Sequence, residues 1–385
     1  MNKLLMVATV PVMLTNFLLP FAAHFRSRGW QVDAMSCGFL PDDICHRSFD
    51  RLWEVQWSRN PLDPRNLFGT PDKISEIVRR EQYDIIHVHT PVAAFVTRYA
   101  LKDVRKQIGA KVIYTAHGFH FFPGAKPIKN AAFLALEKLA SNWTDYLVTI
   151  NREDEAAVKQ HQLVSPGHSR YMPGIGVDLD YYHPQTISES VVANIRVELG
   201  IDARTPLLLS VAEFTPRKRH QDTIAAIAKL NRLEVHLAIA GDGPLMGEMK
   251  QLAIDLGVAA RIHFLGQRND IPALMKAANA NILVSLQEGL PRSVMESLAL
   301  ELPTIGTKIR GTQDLLAGGC GLLIDVGDVV GLAEAIGWIL DRPDEAKNMA
   351  KRGRAHLSTY DLNYIIKLHE ELYAEALMRP ETAIF

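Results

Sequence analysis

The sequence lacks several features that would assign it quickly to a class of protein. Its 385 residues include only three cysteines, Cys37, Cys45 and Cys320, an odd and sparse set that argues against a disulfide framework and favours a reducing compartment. No CxxC pair and no HExxH motif occurs, so the sequence gives no sign of a metal site. No dense basic stripe interleaved with aromatic residues is present, which argues against nucleic acid as a partner.

An excess of charge of one sign is also missing, since 42 Lys and Arg stand against 43 Asp and Glu. Residues 1–185 carry 21 basic and 18 acidic residues. This mild excess is compatible with a phosphate-bearing acceptor or an anionic bilayer surface, and is small enough to arise by chance. The 48% of hydrophobic residues is typical of a soluble globular protein, and the length fits two domains.

Long apolar runs are absent too, because no stretch approaches 18 consecutive apolar residues. The N-terminal 25 residues imitate a signal peptide, with Lys3 ahead of a mostly apolar segment. Residues 3–10 suit equally the first strand of a parallel sheet, and Asn16 and Pro20 interrupt the segment too early for a spanning helix. We therefore predict a cytoplasmic protein, and leave open a peripheral attachment to the inner face of the cytoplasmic membrane.

Strand and helix patterns alternate along the chain in two series, which predicts an α/β protein with doubly wound parallel sheets. The first series has strands at 3–9, 31–36, 84–89, 111–116 and 146–150, and helices at 18–28, 72–81, 92–107, 127–141 and 152–161. The second has strands at 207–211, 235–239, 261–264, 281–284 and 303–306, and helices at 220–230, 244–256, 271–277, 293–300, 328–340 and 343–353.

A segment rich in Gly and Pro, residues 172–184, separates the two series. We predict an N-terminal Rossmann-like domain over 1–173, a linker over 174–184 and a C-terminal Rossmann-like domain over 185–361. A last helix over 362–378 is expected to pack back on the first domain. Ligands of open α/β sheets bind beyond the carboxyl ends of the strands, so two such domains facing a cleft would line it with strand ends.

The segment Glu288-Gly-Leu-Pro-Arg-Ser-Val-Met-Glu296 places two carboxylates on either side of a turn, after a buried-strand pattern and at the start of a helix. A helix N-terminus can bind a diphosphate through its free N–H groups. Carboxylates accept hydrogen bonds from neighbouring hydroxyl groups, so the pattern suits a sugar nucleotide. The alternative is that both acids only interact with the helix dipole.

Six segments carry a resemblance to a known family. They are Ala212-Glu-Phe-Thr-Pro-Arg-Lys-Arg-His220, Ile239-Ala-Gly-Asp-Gly-Pro244, Phe264-Leu-Gly-Gln-Arg-Asn-Asp-Ile271, the 288–296 segment, Tyr114-Thr-Ala-His-Gly-Phe-His-Phe-Phe122 and Ile150-Asn-Arg-Glu-Asp154. The first four resemble the C-terminal half of a family 4 glycosyltransferase, a retaining GT-B enzyme. The last two resemble the subgroup that assembles capsular, exopolysaccharide and O-antigen repeat units.

The resemblance implies a role for each residue of the pattern. Glu288 would contact the donor sugar, Glu296 the nucleotide ribose and His117 the sugar near its reacting carbon, while Lys218 would stabilise the departing diphosphate. The implied donor-binding residues are Glu296, Arg217, Arg219, Gly289, Leu290, Pro291, Arg292, Ser293, Val294, Gln267 and Arg268. The family usually has an Arg five residues before this Lys; Glu213 stands there, and Arg217 or Arg219 would take its place.

Other candidates are weaker. Many relatives have a glycine-rich loop after the first strand, where this chain has Thr15 and Asn16, which we predict as helix-start residues near the acceptor. His120 is a further acceptor-side candidate, although a histidine beside an apolar strand is more often a core residue. Aromatic residues 119, 121 and 122 with flanking lysines indicate either contact with lipid head groups or a loop packed under the next helix.

The predicted activity is retaining transfer of a sugar from a nucleotide-diphospho-sugar, with UDP before GDP as the nucleotide, to a polyprenyl-diphosphate-linked acceptor. We read the Asp-Leu-Asp of residues 178–180 as a coincidence, and we expect no metal and no cofactor. Two alternatives stay open: a scaffold that binds sugar nucleotides but has lost catalysis, and a non-hydrolysing UDP-sugar 2-epimerase.

Overall fold

The computed structural model of the protein describes residues 1–58 and 63–378. The chain divides into two compact units, Met1–Ile175 together with the segment that begins at Asn363, and Gly176–Leu362. Residues 176–184, predicted as part of the linker, belong to the second unit, where the Val177 N–H donates to the Tyr360 carbonyl. Within the described ranges, no helix has both the length and the apolar character needed to cross a bilayer.

The described residues of the first unit form a seven-stranded parallel sheet in the order β3-β2-β1-β4-β5-β6-β7. Its strands are β1 Lys3–Val7, β2 Gln31–Ser36, β3 Leu52–Glu54, β4 Ile85–His89, β5 Lys111–Ala116, β6 Tyr146–Thr149 and β7 Ser169–Tyr171. Its helices before the second unit are α1 Pro11–Met13, α2 Leu19–Ser27, α3 Cys45–Ser48, α4 Thr70–Glu81, α5 Pro91–Ala100, α6 Val104–Ile108, α7 Pro127–Ser141 and α8 Arg152–His161. A π-helical turn, Leu14–Leu18, joins α1 to α2, and a 3₁₀ turn spans Pro64–Asn66.

The second unit has a six-stranded parallel sheet in the order β10-β9-β8-β11-β12-β13. Its strands are β8 Leu207–Val211, β9 His236–Ala240, β10 Ile262–Gly266, β11 Ala280–Leu283, β12 Thr304–Thr307 and β13 Leu322–Ile324. Its helices are α9 Glu189–Glu198, α10 His220–Lys229, α11 Met246–Asp255, α12 Ile271–Ala277, α13 Arg292–Ala299, α14 Thr312–Leu316, α15 Val329–Asp341 and α16 Pro343–His356. Short 3₁₀ turns span Pro216–Lys218, Ala259–Arg261, Ala317–Gly319 and Leu357–Tyr360, and helix α17, Leu362–Leu377, follows and lies almost wholly in the first unit.

Most residues of the central strands are apolar because both faces of each sheet are covered. In β8, Leu207 and Leu209 belong to one core cluster of the second unit and Leu208 to the other. In β4, Ile86 and Val88 enter the main core of the first unit, whereas His87 and His89 alternate onto the opposite face, on which Tyr373 of α17 contacts His87. This alternation buries two polar side chains, His87 and His89, on one face of the first sheet.

Each sheet reverses its strand order at one point, between β1 and β4 in the first unit and between β8 and β11 in the second. Such a switch point leaves a crevice beyond the carboxyl ends of the two strands, where ligands of open α/β sheets bind. The loops after β8, β11 and β12, three neighbouring strands, therefore meet at one edge of the second sheet. They contain Lys218, Glu288 and Arg310, respectively.

Some elements differ from the sequence-based prediction. The edge strands β3, β7 and β13 were not predicted, nor were helices α9 and α14. The single helix predicted over 92–107 is wrong, because α5 ends at Ala100 and α6 begins only at Val104.

Candidate active site

The loop after β8 brings two cations to one buried carboxylate. Lys218 Nζ lies 2.6 Å from Glu288 Oε1, and Arg217 Nη1 lies 3.0 Å from Glu288 Oε2. The Leu286 N–H donates to the Arg217 carbonyl at 2.8 Å, which ties the loop after β11 to the loop after β8. Glu288 is 7% exposed and Lys218 12%, so their ion pair is largely removed from water, whereas Arg217 is 45% exposed. The structure thus places three of the predicted residues in direct contact.

The ionisation of Glu288 is set by two opposing effects. Burial would by itself raise the pKa of this carboxyl, but the charges of Lys218 and Arg217 outweigh it and hold the pKa below its ordinary value. Glu288 is consequently an anion with strong hydrogen-bond acceptor capacity. Each of its two oxygens meets a cation of the 3₁₀ turn, which keeps positive charge fixed at the end of β8.

Glu296 has a different environment one helix turn inside α13. Its Oε1 accepts hydrogen bonds from Tyr182 Oη at 2.6 Å and from Arg292 Nε at 2.7 Å. Burial raises the pKa of Glu296, and Arg292 and Tyr182 offset only part of this increase. Tyr182 could not be identified from the sequence, since a tyrosine in a segment predicted as a linker carries no motif.

The turn between the two carboxylates approaches the loop after β12 very closely. A Cβ added at Gly311, which has a φ of +74°, would lie 2.1 Å from the Gly289 carbonyl oxygen. Arg310 Nε, from the same loop, donates to the Glu288 carbonyl at 3.1 Å and holds the backbone at the start of the turn. Helix α13 then begins at Arg292 without a side-chain cap, and the Val294 and Met295 N–H groups donate to the Pro291 carbonyl at 3.2 and 3.3 Å.

Other predicted donor-binding residues are engaged elsewhere in the second unit. Arg219 pairs with Asp222, so Arg217 is the arginine that the structure places beside Glu288. Arg268 forms ion pairs with Asp270 at 2.7 Å and with Glu198. Gln267 is exposed at the end of β10, a strand that lies at the opposite side of β8 from β11. The binding of the donor by Gln267 and Arg268 stays a prediction.

In the first unit His117 is held by a second histidine. β4 and β5 pair in a register that sets His89 opposite Thr115, two residues before His117. His89 Nδ1 lies 3.0 Å from His117 Nε2, and burial lowers the pKa of His117 to about 4. His117 is therefore a neutral imidazole at pH 7.

The acceptor-side candidates belong to two parts of the first unit: His120 follows β5, and Thr15 and Asn16 lie between α1 and α2. The His120 ring packs edge-on against Phe133 of α7 with centroids 5.1 Å apart. Thr15 and Asn16 lie inside the π-helical turn, so the prediction that they start a helix is wrong: the helix begins at Pro11. Thr15 Oγ1 donates to the Val12 carbonyl at 3.2 Å. Their proximity to an acceptor stays a prediction.

The aromatic loop after β5 is packed rather than exposed. Phe119 and Phe121 are buried and stack on each other with centroids 4.8 Å apart, which supports the packed-loop alternative. Exposed apolar side chains occur instead on α7, where Ile128, Leu136 and Leu139 share one side of the helix; we call these three residues the α7 stripe. Exposed lysines at 126, 129 and 138 lie on or beside the same helix.

Residues 1–58 and 63–378 contain no group of three or more His, Cys, Asp or Glu side chains arranged to hold a metal ion. Asp178 Oδ1 accepts hydrogen bonds from the backbone N–H groups of Asp180 and Tyr181, as expected for a carboxylate that stabilises a turn.

Comparisons with known proteins cover almost the whole chain. A family model described as Glycosyl transferases group 1 matches residues 191–356, and one described as Glycosyltransferase Family 4 matches residues 14–181. "Putative glycosyltransferase EpsD" of Bacillus subtilis is 33% identical over 359 residues, which are 92% of this chain and 91% of that protein.

A second relative and a solved structure agree with these matches. The UDP-Gal:alpha-D-GlcNAc-diphosphoundecaprenol alpha-1,3-galactosyltransferase of Escherichia coli is 27% identical over 69% of this chain and 68% of its own length. The crystal structure of Anabaena Alr3699/HepE in complex with UDP covers 97% of this chain and 100% of its own, with a TM-score of 0.80. At 20% identity this last likeness concerns the fold alone. The chain belongs to glycosyltransferase family 4, and its two parallel-sheet units have the GT-B fold.

Proposed function

We propose that this glycosyltransferase transfers a sugar from a UDP-sugar to a lipid-linked oligosaccharide, with retention of the anomeric configuration and without a metal ion. The observation that carries the proposal is the pairing of Lys218 and Arg217 with the buried Glu288, next to the uncapped start of α13. A sugar diphosphate needs both features, because negative charge accumulates on the leaving group as the glycosidic bond breaks.

The division of work within the second unit follows from the hydrogen-bonding capacity of each group. Lys218 has three N–H donors and uses one on Glu288, so it can bind a phosphate oxygen without leaving the carboxylate. The N–H groups at the start of α13 add the helix dipole at the same edge. Glu288 accepts from sugar hydroxyls, and Glu296, oriented by Tyr182 and Arg292, accepts from the ribose diol.

The proposed UDP and lipid-linked substrates draw on the relatives. The Escherichia coli relative is named for a UDP-sugar donor and a diphosphoundecaprenol-linked acceptor. The α7 stripe supports access to such an acceptor, because an exposed apolar row flanked by lysines suits an anionic bilayer surface. We place this surface in contact with the inner leaflet and the protein in the cytoplasm.

A screen of donors tests the proposal. Thermal stabilisation by UDP- and GDP-sugars is measured in excess EDTA for the wild type and for Glu296→Ala, followed by assay of slow diphosphate release. We expect stabilisation by UDP-sugars that the substitution abolishes, and NMR of the freshly released sugar should show the anomer of the donor. Stabilisation that requires a divalent cation would refute metal independence, and the opposite anomer would refute retention.

Two further readouts separate the alternatives. Conversion of the donor to its C2 epimer would identify an epimerase, and nucleotide binding without any release of diphosphate would identify a scaffold. Transfer is then assayed with a sugar linked to undecaprenyl diphosphate and with the same sugar free in solution. Transfer to the free sugar at the same kcat/KM would contradict a lipid-linked acceptor.

A further inference from the structure

The buried polar face of β4 contains His89, which contacts the predicted site residue His117. We propose that His89 donates a hydrogen bond from Nδ1 to Nε2 of His117 and thereby fixes His117 as the tautomer with its proton on Nδ1. His89 is then a positioning residue that leaves His117 with one N–H for a ligand. The tautomer concerns the free protein; its use in catalysis rests on the proposed function, in which His117 contacts the sugar.

The hydrogen bond needs one proton, and the surroundings of His89 decide which ring supplies it. The two nitrogens are 3.0 Å apart, and both rings are neutral because burial keeps the pKa of each below its ordinary value. His89 Nε2 is buried and has no hydrogen-bond partner among the described residues. If Nε2 carried the proton, it would be an orphaned donor, which folded proteins tolerate less readily than an unused acceptor. The proton of His89 therefore belongs on Nδ1.

The orientation of His89 is fixed by its neighbours on the same face of the sheet. Its ring stacks on His87 with centroids 4.2 Å apart. His87 is held in turn by Thr115 Oγ1 at 2.7 Å and by Tyr373 Oη at 2.5 Å. His89 thus has a defined ring plane and little freedom to exchange the roles of its two nitrogens.

The chemistry of this pair differs from that of a histidine held by a carboxylate. The titratable groups that act on His89 are three other histidines, His87, His117 and His369. A neutral imidazole orients His117 without stabilising the imidazolium, whereas a carboxylate would stabilise it. His117 consequently serves as a neutral hydrogen-bond donor toward an oxygen of the ligand, and not as a general acid.

Nitrogen NMR tests the assignment directly in the unliganded protein. Long-range ¹H–¹⁵N correlation spectra distinguish protonated from bare ring nitrogens, and loss of one pattern in His117→Gln identifies His117 among the 14 histidines. We expect a bare Nε2 and a protonated Nδ1 on His117. In His89→Leu the pattern should average between the two tautomers, and in His89→Asn, whose amide N–H can replace Nδ1–H, the single pattern should return. A protonated Nε2 in the wild type, or an unchanged pattern in His89→Leu, would overturn the proposal.

Donor turnover and thermal melting of the same variants connect the tautomer to function. Loss of one oriented hydrogen bond corresponds to about tenfold in rate, so His89→Leu should fall by about that factor. His89→Asn should stay within about threefold of the wild type, even if both variants melt at the same lowered temperature. The predicted spectra combined with full turnover in His89→Leu would leave the tautomer standing and refute the role of His117 in the proposed function.

Discussion

The ion pair between Lys218 and Glu288 makes a quantitative prediction about the second unit. Lys218→Met keeps the aliphatic part of the side chain and removes the charge, which leaves the buried carboxylate with Arg217 alone. Breaking a buried pair from one side costs about 3–5 kcal/mol. Arg217 is 45% exposed and screened by water, but it still compensates in part, so we expect a loss of about 2–3 kcal/mol in the free energy of unfolding.

A double-mutant cycle isolates the interaction. Glu288→Gln should cost about 1–2 kcal/mol, because Lys218 is itself 12% exposed and can recover some hydration. Lys218→Met combined with Glu288→Gln should cost less than the sum of the two single changes by at least about 1 kcal/mol. Unfolding in urea is monitored by hydrogen–deuterium exchange of peptides from residues 176–362, which reports the stability of the second unit separately. Strict additivity of the two changes would refute the coupling.

The pH dependence of the deficit provides a second check with a defined sign. In the wild type the pKa of Glu288 lies below its ordinary value of 4.5, so its stabilising contribution is present at neutral pH and is lost only in more acidic solution. In Lys218→Met the effect of burial dominates and raises the pKa of Glu288. The carboxyl therefore becomes protonated at a higher pH, and protonation removes the cost of burying its charge. The difference in stability between the two proteins should therefore be largest at pH 7 and should shrink as the pH falls toward 5. A deficit that grows on acidification would contradict the charge argument.

Three further predictions concern the packing, the nucleotide and the surface. Gly311→Ala should lower the free energy of unfolding by about 3 kcal/mol, since strain at positive φ adds to the collision with Gly289. The control Gly318→Ala, at a φ of +67° with no atom within 4 Å of the added Cβ, should cost only about 1–2 kcal/mol. Equal melting temperatures of the two variants would refute the contact between Gly311 and Gly289. Tyr182→Phe removes one hydrogen bond from Glu296 and should weaken binding of UDP, the proposed nucleotide, about three- to tenfold by calorimetry, without a change in the circular dichroism spectrum. Serine at all three positions of the α7 stripe should reduce binding to anionic vesicles at least about tenfold at unchanged thermal stability, and undiminished sedimentation with vesicles would exclude this surface.

The parts of the fold that could be predicted are those with a strong local pattern. Central strands such as β8 are buried on both faces and appear as continuous apolar runs, and α8, predicted over 152–161, spans Arg152–His161 in the structure. The edge strands β3 and β7 have three residues each, too few for a periodic pattern. The break between α5 and α6 at residues 101–103 contains neither Gly nor Pro, so no local signal marks it.

In the candidate site, too, features formed by residues close together in the sequence could be predicted, whereas contacts between residues far apart in the sequence could not. The spacing of Glu288 and Glu296 around a turn can be read from the sequence, and so can a basic loop after the preceding strand. The sequence could not show that Arg268 would meet Glu198, 70 residues earlier in the chain, or that Tyr182 would donate to Glu296. Such pairings depend on how distant segments pack together.

The position of helix α17 at the end of the chain affects how the first unit folds during synthesis. Its Tyr373 packs on Phe25 and Trp30, and its His369 packs on Phe21, so these aromatic side chains lose their cover when α17 is missing. Ribosomes synthesise the whole second unit before they reach Asn363, a delay on the order of 10–40 s at about 5–20 residues per second. During that interval the nascent first unit exposes an aromatic surface and lacks the Tyr373 hydroxyl that holds His87. The contact between His87 and Tyr373 can therefore form only after the second unit has been synthesised, and a chain truncated before residue 363 cannot form it.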